Sequence, residues 1–458
     1  MSVWLLPENI ADMLPREARA IEHLRSSFLK LVTSHGFEVV RPPLVEYVDS
    51  LLTGTGGDLD LRTFKIVDQV TGKTMGIRAD MTPQVARIDA HILNRSGVSR
   101  LCYVGSVLHA RPLHPLASRQ PYLAGVEMFG SSSVESEREV ICLGIESLRQ
   151  FGLENIFLDL GHTGVVKAIL DSDPVSEVVQ DQILFALSHK DRSALEELRG
   201  VLKEKTVDDL IRLTMLFGSE DVLNQVIEEF SDYPEIPEIL ESVRRLGRES
   251  GADIVSYDFA DVAGYNYHTG VTFSVNIPGR YQPILRGGRY DDIGERFGRK
   301  RPAVGFTLYL REIIAVMDTK RPYAILAPNR LDDAALQSRI RELRENGDIV
   351  IEKLPEDNVA SLEESFHLDE ELVCINGVWP IYPYTPIKSS FEDAGSVEDM
   401  MLYTELEAAV HAMIQRLEYS FTFNPSLLTI PKRKQQVTEI LKEAETYIWR
   451  IKEEMRCA

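Results

Sequence analysis

The chain has 458 residues, 44% of them apolar and 26% charged, with a formal charge of −21 at pH 7. That length exceeds one ordinary core and predicts two to four domains, while the acidic balance argues against a broad nucleic-acid surface, which needs local positive charge. Four scattered cysteines without CxxC spacing, a start (MSVWLLPENIADMLP) without a secretory-signal pattern, and no run of about 18 apolar residues predict a reduced, cytoplasmic protein with no metal centre and no membrane span. Along the chain, Ile21, Leu24, Phe28, Leu31 and Val32 fall on one face of a helix over about 17–34, which His35-Gly36 ends. A strand follows at 37–40, then a hairpin over 62–78 with its turn at DQVTGK. Apolar runs at 101–107 and 123–129 read as strands joined by a Pro- and His-rich loop, 111–122. His109 and His114 lie in that region without the regular offsets of a metal site. A helix at 134–151 and a strand at 156–160 come next. Residues 165–250 carry leucines and isoleucines at helical spacing with almost no strand pattern, and predict a helical insertion packed as its own small unit. Strand patterns return at 254–277 and 281–285, and 302–316 reads as a strand leading into a helix. Residues 321–386 predict a small α/β unit, and 387–458 a helical hairpin of unknown role with two apolar stripes.

Five blocks, in order, resemble the histidyl-tRNA synthetase family of class II enzymes. GFEVVRPPLVE at 36–46 resembles motif 1, and the segment at 100–130, containing VGSVLHARP and AGVEMFG, resembles motif 2. RGGRYDDIGERFG and the residues to 312 resemble motif 3 with its glycine-rich approach. VAGYNYHTGVTFSV at 262–275 is similar to the family's histidine-specific block, and IRADMTPQVAR at 77–87 to its amino-acid-binding loop. The similarity covers residues 1 to about 320. It implies an α+β fold: a class II synthetase-like core of mixed, largely antiparallel sheet flanked by helices, formed by 1–164 and 251–320.

The departures from that family bear on chemistry. Attack on the α-phosphate of ATP develops negative charge that fixed cations must meet, typically arginines, each worth about 10²–10³ in rate. The motif 2 arginine of the synthetases falls here on Leu108 or His109, and its companion glutamate is absent. Ala263 stands at the arginine of the histidine-specific block, and Glu312 reverses the charge of the arginine ending motif 3. Arg111, Arg119, Arg286 and Arg289 are the nearby cations; they either form structural ion pairs or restore part of the lost charge.

The amino-acid pocket fares differently under the same resemblance. Asp80 and Thr82 match residues that hold the α-amino group, Glu127 a retained acidic residue, and Tyr267 with His268 the aromatic pair beside the imidazole. His268 replaces a tyrosine. Asp80 also reads as a cap for a helix beginning near Pro83, and the two roles are compatible. A synthetase-like core without activation residues, with the phrases RADMTPQVARI, VLHARP and ASRQP and a short α/β end, resembles the regulatory subunits of ATP phosphoribosyltransferase. That resemblance implies a non-catalytic, cofactor-free subunit, dimeric through its core. It also implies a partnership with a short-form catalytic chain and L-histidine as effector. An active histidyl-tRNA synthetase and a paralogue that binds tRNA or another partner are the alternatives.

Overall fold

The computed structural model describes residues 4–52, 57–262, 264–265, 267–280, 282–374 and 377–384. Ala263 and the hairpin expected at 387–458 lie outside the described residues. The chain divides into two compact units, Met1–Thr319 and Lys320–Ala458.

In the first unit the leading apolar stripe folds as the helix Pro15–Ser34. Pro15 sits in its first turn, where a missing N–H costs nothing, and Gly36, at φ 82°, reverses the chain after it. Its Ile21, Leu24, Phe28 and Val32 are at most 2% exposed, each worth about 1.5–3 kcal/mol when fully buried. The strands that follow are β1 (Glu38–Val39), β2 (Val45–Tyr47), β3 (Phe64–Val67), β4 (Thr74–Ile77), β5 (Ser99–Ser106) and β6 (Tyr122–Phe129). After them come β7 (Phe157–His162), β8 (Phe217–Gly218), β9 (Ile254–Asp258), β10 (Val271–Asn276), β11 (Leu285–Arg289) and β12 (Ala303–Tyr309).

Nine of these form one sheet in the order β1-β5-β6-β12-β11-β10-β7-β9-β8, and β2-β4-β3 form a small one. The large sheet is antiparallel except where β1 meets β5 and β7 meets β9. The helices Pro15–Ser34 and Val134–Gln150 bury their apolar stripes in the cluster on one of its faces. The opposite face, between β5 and β11, carries the candidate site.

Two local expectations are corrected. The strand read at 281–285 runs instead from Leu285 to Arg289, so Gly287 and Gly288 lie within a strand. Close packing explains it: a Cβ on Gly287 would strike the Phe273 ring and the Gly305 carbonyl, and one on Gly288 would meet His268 and the Val271 carbonyl. The helical stretch does not carry a core of its own. Ile183, Leu187, Leu210, Leu240 and Val243 join the same buried cluster as Val126, Leu158 and Phe306 of the sheet. Within it, the two residues of β8 pair antiparallel with β9 and form one sheet edge.

The second unit holds β13 (Tyr323–Pro328), β14 (Val350–Lys353), β15 (His367–Leu372) and β16 (Ile381–Pro383) in the order β14-β13-β15-β16. Asp333 caps the helix Ala334–Glu345 by accepting the Leu336 N–H at 2.9 Å. Its other oxygen accepts Trp379 Nε1–H at 3.2 Å, which ties the segment just before β16 to that cap. Among the described residues no helix is long and apolar enough to cross a membrane, and no group of three or more His, Cys, Asp or Glu side chains gathers as a metal site.

Candidate functional site

Strand register places a set of polar and small residues on one face of the sheet. Leu101 of β5 stands opposite Glu127 of β6, and Gly305 of β12 stands on the other side of Glu127. Tyr103 and Thr307 flank Gly125 in the same way, and Gly288 of β11 lies beside Gly305. Because side chains alternate, all of these point to the same side. The glycines form a floor that no larger residue could replace. A Cβ at Gly125 would strike the Tyr103 ring, one at Gly305 the Glu127 carboxyl, and one at Gly288 the His268 imidazole.

Glu127 is the centre of this arrangement, 1% exposed. Its Oε1 accepts Thr82 Oγ1–H at 2.7 Å and Tyr103 O–H at 3.2 Å, and its Oε2 accepts the Tyr290 hydroxyl. Tyr103 reaches Thr307 Oγ1 at 2.8 Å. Thr82 arrives from the first turn of the helix Thr82–Arg87, and Asp80 stands just before it. The Asp80 carboxylate accepts the Met81 and Thr82 N–H groups at 2.6 and 3.2 Å, so it anchors the start of that helix while its charge acts on Glu127, Tyr103 and Tyr267. Tyr267 stacks on Tyr290 with ring centroids 5.1 Å apart, and His268 meets Tyr267 edge-on at 5.4 Å.

The electrostatics follow from burial without a cation. Among the described residues no Lys, Arg or His lies within ion-pair distance of Glu127. Burial pushes its carboxyl well above the ordinary range, the Asp80 charge adds to that rise, and the Thr82 and Tyr103 hydrogen bonds oppose it. Burial and then the same two carboxyls raise the Tyr267 phenol well above its usual value, and its buried oxygen has no hydrogen-bond partner among the described residues. His268 is pulled down to about 4, chiefly by burial. It is therefore neutral at pH 7, and its Nδ1 lies 3.3 Å from the Arg289 carbonyl. A carbonyl can only accept, which assigns the proton to Nδ1 and leaves Nε2 as an acceptor. Two carboxyls, several hydroxyls and an aromatic wall make a set of groups whose chemistry suits a cationic, hydrogen-bonding guest.

The residues at the positions where the sequence resemblance leads one to expect the lost arginines are otherwise engaged. The Leu108 N–H donates to the Arg78 carbonyl at 3.0 Å, and the buried His109 places Nε2 3.0 Å from the Ala79 carbonyl. Glu312 is ion-paired with Arg280. Of the neighbouring cations, Arg119 donates to the His109 and Glu8 carbonyls and lies over the Phe64 ring. Arg289, 5% exposed, is held by Glu137 at 2.5 Å and Asp291 at 3.2 Å. Arg286 stands exposed on the site face, opposite Thr307, and Arg111 is exposed in the loop between β5 and β6.

The sheet thus brings Asp80, Thr82, Glu127, Tyr267 and His268 into one neighbourhood, and Leu108 and His109 adjoin it through the Arg78–Ala79 backbone. Glu312 faces Arg280 instead. Sequence reasoning missed Tyr103, Tyr290 and Thr307. Tyr290 stands two residues past the glycine pair in GGRYD, and Tyr103 two residues past Leu101 shares its strand face; those were the available signals.

Comparison with known proteins places this geometry. A family model described as histidyl-tRNA synthetase matches residues 9–313, and one described as the ATP phosphoribosyltransferase subunit HisZ C-terminal domain matches 321–381. A protein of Bordetella avium named ATP phosphoribosyltransferase regulatory subunit is 44% identical over 83% of this chain and 99% of its own. One of the same name from Ralstonia nicotianae is 45% identical over 84% and 99%. The chain belongs to the ATP phosphoribosyltransferase regulatory subunit family. In this family's company stands a solved Bacillus halodurans structure, described as an ATP phosphoribosyltransferase regulatory subunit/histidyl-tRNA synthetase. It is 25% identical, with a TM-score of 0.69 over 80% of this chain and 97% of that one. A histidyl-tRNA synthetase from Nostoc, 17% identical with a TM-score of 0.66 over 81% and 92%, shares the fold. The fold of this regulatory-subunit family member is accordingly the class II synthetase-like α+β core.

Proposed function

We propose that this chain is the non-catalytic regulatory subunit of ATP phosphoribosyltransferase, acting in the cytoplasm with a short-form catalytic chain at the first step of histidine synthesis. L-Histidine bound at Asp80, Thr82, Glu127, Tyr267 and His268 is its feedback signal. The observation that carries this reading is a contrast between the carboxyl cluster and the positions around it. Glu127 and Asp80 keep carboxyls for an ammonium or imidazolium, with Thr82 and the Tyr267 hydroxyl, which has no hydrogen-bond partner among the described residues, beside them. The positions where adenylation needs cations hold Leu108, His109 and the neutralised Glu312. A carboxyl site can bind an amino acid without any of that machinery. The homodimer forms through the motif 1 segment, as in the synthetases the core resembles.

The test mixes this protein with a short-form catalytic subunit and measures phosphoribosyl-ATP formation with and without histidine. Histidine-dependent pyrophosphate exchange by this chain alone is the control. We expect stimulation of the partner, reversal by histidine and no exchange. An inert mixture overturns the reading, and exchange activity makes the chain a working synthetase. Tight tRNA binding with a steep salt dependence would favour the paralogue instead.

A further inference from the structure

The groups gathered around Glu127 suit the positive part of a guest, and a zwitterionic guest brings a carboxylate as well. Most cations nearby are spent on other partners. Arg289 is held by Glu137 and Asp291, and Arg280 by Glu312. Arg78 and Arg119 donate to backbone carbonyls. Arg62, whose charge reaches the Tyr309 phenol, already has a partner. Arg286 differs. It is exposed, and among the described residues its guanidinium makes no ion pair and no hydrogen bond.

Strand register fixes where that guanidinium starts. Arg286 of β11 stands opposite Thr307 of β12, Thr307 opposite Gly125 of β6, and Gly125 opposite Tyr103 of β5. The row therefore ends at the phenol that donates to Glu127. Along its own strand Arg286 precedes Gly288 by two residues, on the same face and about 7 Å away, and Gly288 is the floor under His268. In the other direction the row runs through Ser274 to Asp159. The Asp159 carboxylate accepts the Ser256 hydroxyl and the Asn276 amide instead of pairing with Arg286. The charge of Arg286 acts on the site side. Burial chiefly lowers the His268 imidazole, and Arg286 adds to the fall. Burial raises the Tyr309 phenol, the Asp80 charge adds to that rise, and Arg286 opposes it. Arg111 is exposed too, but its charge is not among those acting on Glu127, Tyr267, His268 or Tyr309.

We infer that Arg286 anchors the α-carboxylate of the guest, so that the site selects a free amino acid over the amine that lacks that carboxylate. A guanidinium fork matches the two oxygens of a carboxylate. An ammonium and a carboxylate on one carbon call for a negative and a positive group on different sides of the guest. Asp80 and Glu127 supply the first, and Arg286 supplies the second from β11. An amine entering the same site meets an uncompensated like charge, which is how a binding site rejects a near relative of its ligand. The inference rests on the histidine reading of the Glu127 site and adds to it the residue that sets its selectivity.

Calorimetric titration of the full chain with L-histidine and with histamine, which has no carboxylate, tests this in wild type, Arg286→Gln and Arg286→Lys. We expect wild type to bind histidine about tenfold or more tighter than histamine, the scale of a charged hydrogen bond. Arg286→Gln should remove that preference, weakening histidine by about the same factor and leaving histamine unchanged or tighter. Arg286→Lys keeps the charge without the fork and should retain part of the preference. Arg286 is exposed, so both variants fold, which far-UV circular dichroism checks. Wild type that binds histidine no better than histamine overturns the inference. So does a loss in Arg286→Gln that is absent or common to both ligands; either result leaves the histidine reading standing. Wild type that binds no histidine overturns both.

Discussion

Glu127 shows how one side chain can set the response of the site to pH. In the folded chain its carboxyl titrates well above the ordinary carboxylate range, because burial penalises the charge and no cation among the described residues lies within ion-pair distance to offset it. The folded chain therefore keeps a proton that the unfolded chain gives up. Stability tied to that proton is fully present below the unfolded value and is lost as pH rises from there through the folded value. Glu127→Gln has no such proton. Urea denaturation of both proteins should show the wild-type advantage shrinking as pH climbs above about 4.5; a difference independent of pH would mean that the free site is already ionised. An entering ammonium reverses the preference and expels the proton. Histidine titrations in two buffers of unlike ionisation enthalpy should then register release approaching one proton per site. The sequence exposed Glu127 through a resemblance to the synthetase family. It hid Tyr103, Tyr290 and Thr307, because these converge through pairing of β5, β6, β11 and β12, and register between distant segments leaves no local trace.

At the scale of elements, periodicity was a good guide wherever one face met the core. The helices Pro15–Ser34 and Val134–Gln150 and the strands β5 and β6 follow it closely, since burial on one side dictates spacing. It misplaced β11, where close-packed glycines interrupt the apolar pattern, and missed β8, which had only two residues to show. It also gave no sign of how the end of β12 is held. Arg301, 6% exposed, donates Nη1–H to both Asp89 oxygens at 3.0 and 2.9 Å and Nη2–H to the Phe129 carbonyl at 3.3 Å. That pair joins the π-helical segment Ile88–Leu93 to the ends of β6 and β12, directly behind the candidate site. Asp89→Ala leaves a buried guanidinium uncompensated and should cost about 3–5 kcal/mol, read by chemical denaturation. Asp89→Leu combined with Arg301→Met should recover part of that loss. A single variant as stable as wild type would show that the ion pair is not what holds these elements together.

For the whole molecule, the proposed role turns on a free energy shared between two ligands, histidine and the catalytic subunit. A guest that binds the free chain and the assembly equally well regulates nothing, however tightly it is held. If histidine at the Glu127 site weakens productive association, linkage requires the partner to weaken histidine binding by the same factor, typically about 5–150-fold. The carboxyl site gives that coupling a physical route, because Asp80 and Thr82 belong to the segment whose backbone holds the motif 2 loop. The Leu108 N–H donates to the Arg78 carbonyl, and His109 bonds to that of Ala79. An effector that shifts Asp80 therefore pulls on the loop between β5 and β6. Equilibrium titration of histidine with the chain alone, and then with saturating catalytic subunit, should give dissociation constants differing by the ratio that histidine imposes on subunit affinity. Equal constants, alongside inhibition of the mixed enzyme by histidine, would move the inhibitory site off this chain and leave the Glu127 cluster to bind its guest without regulatory effect.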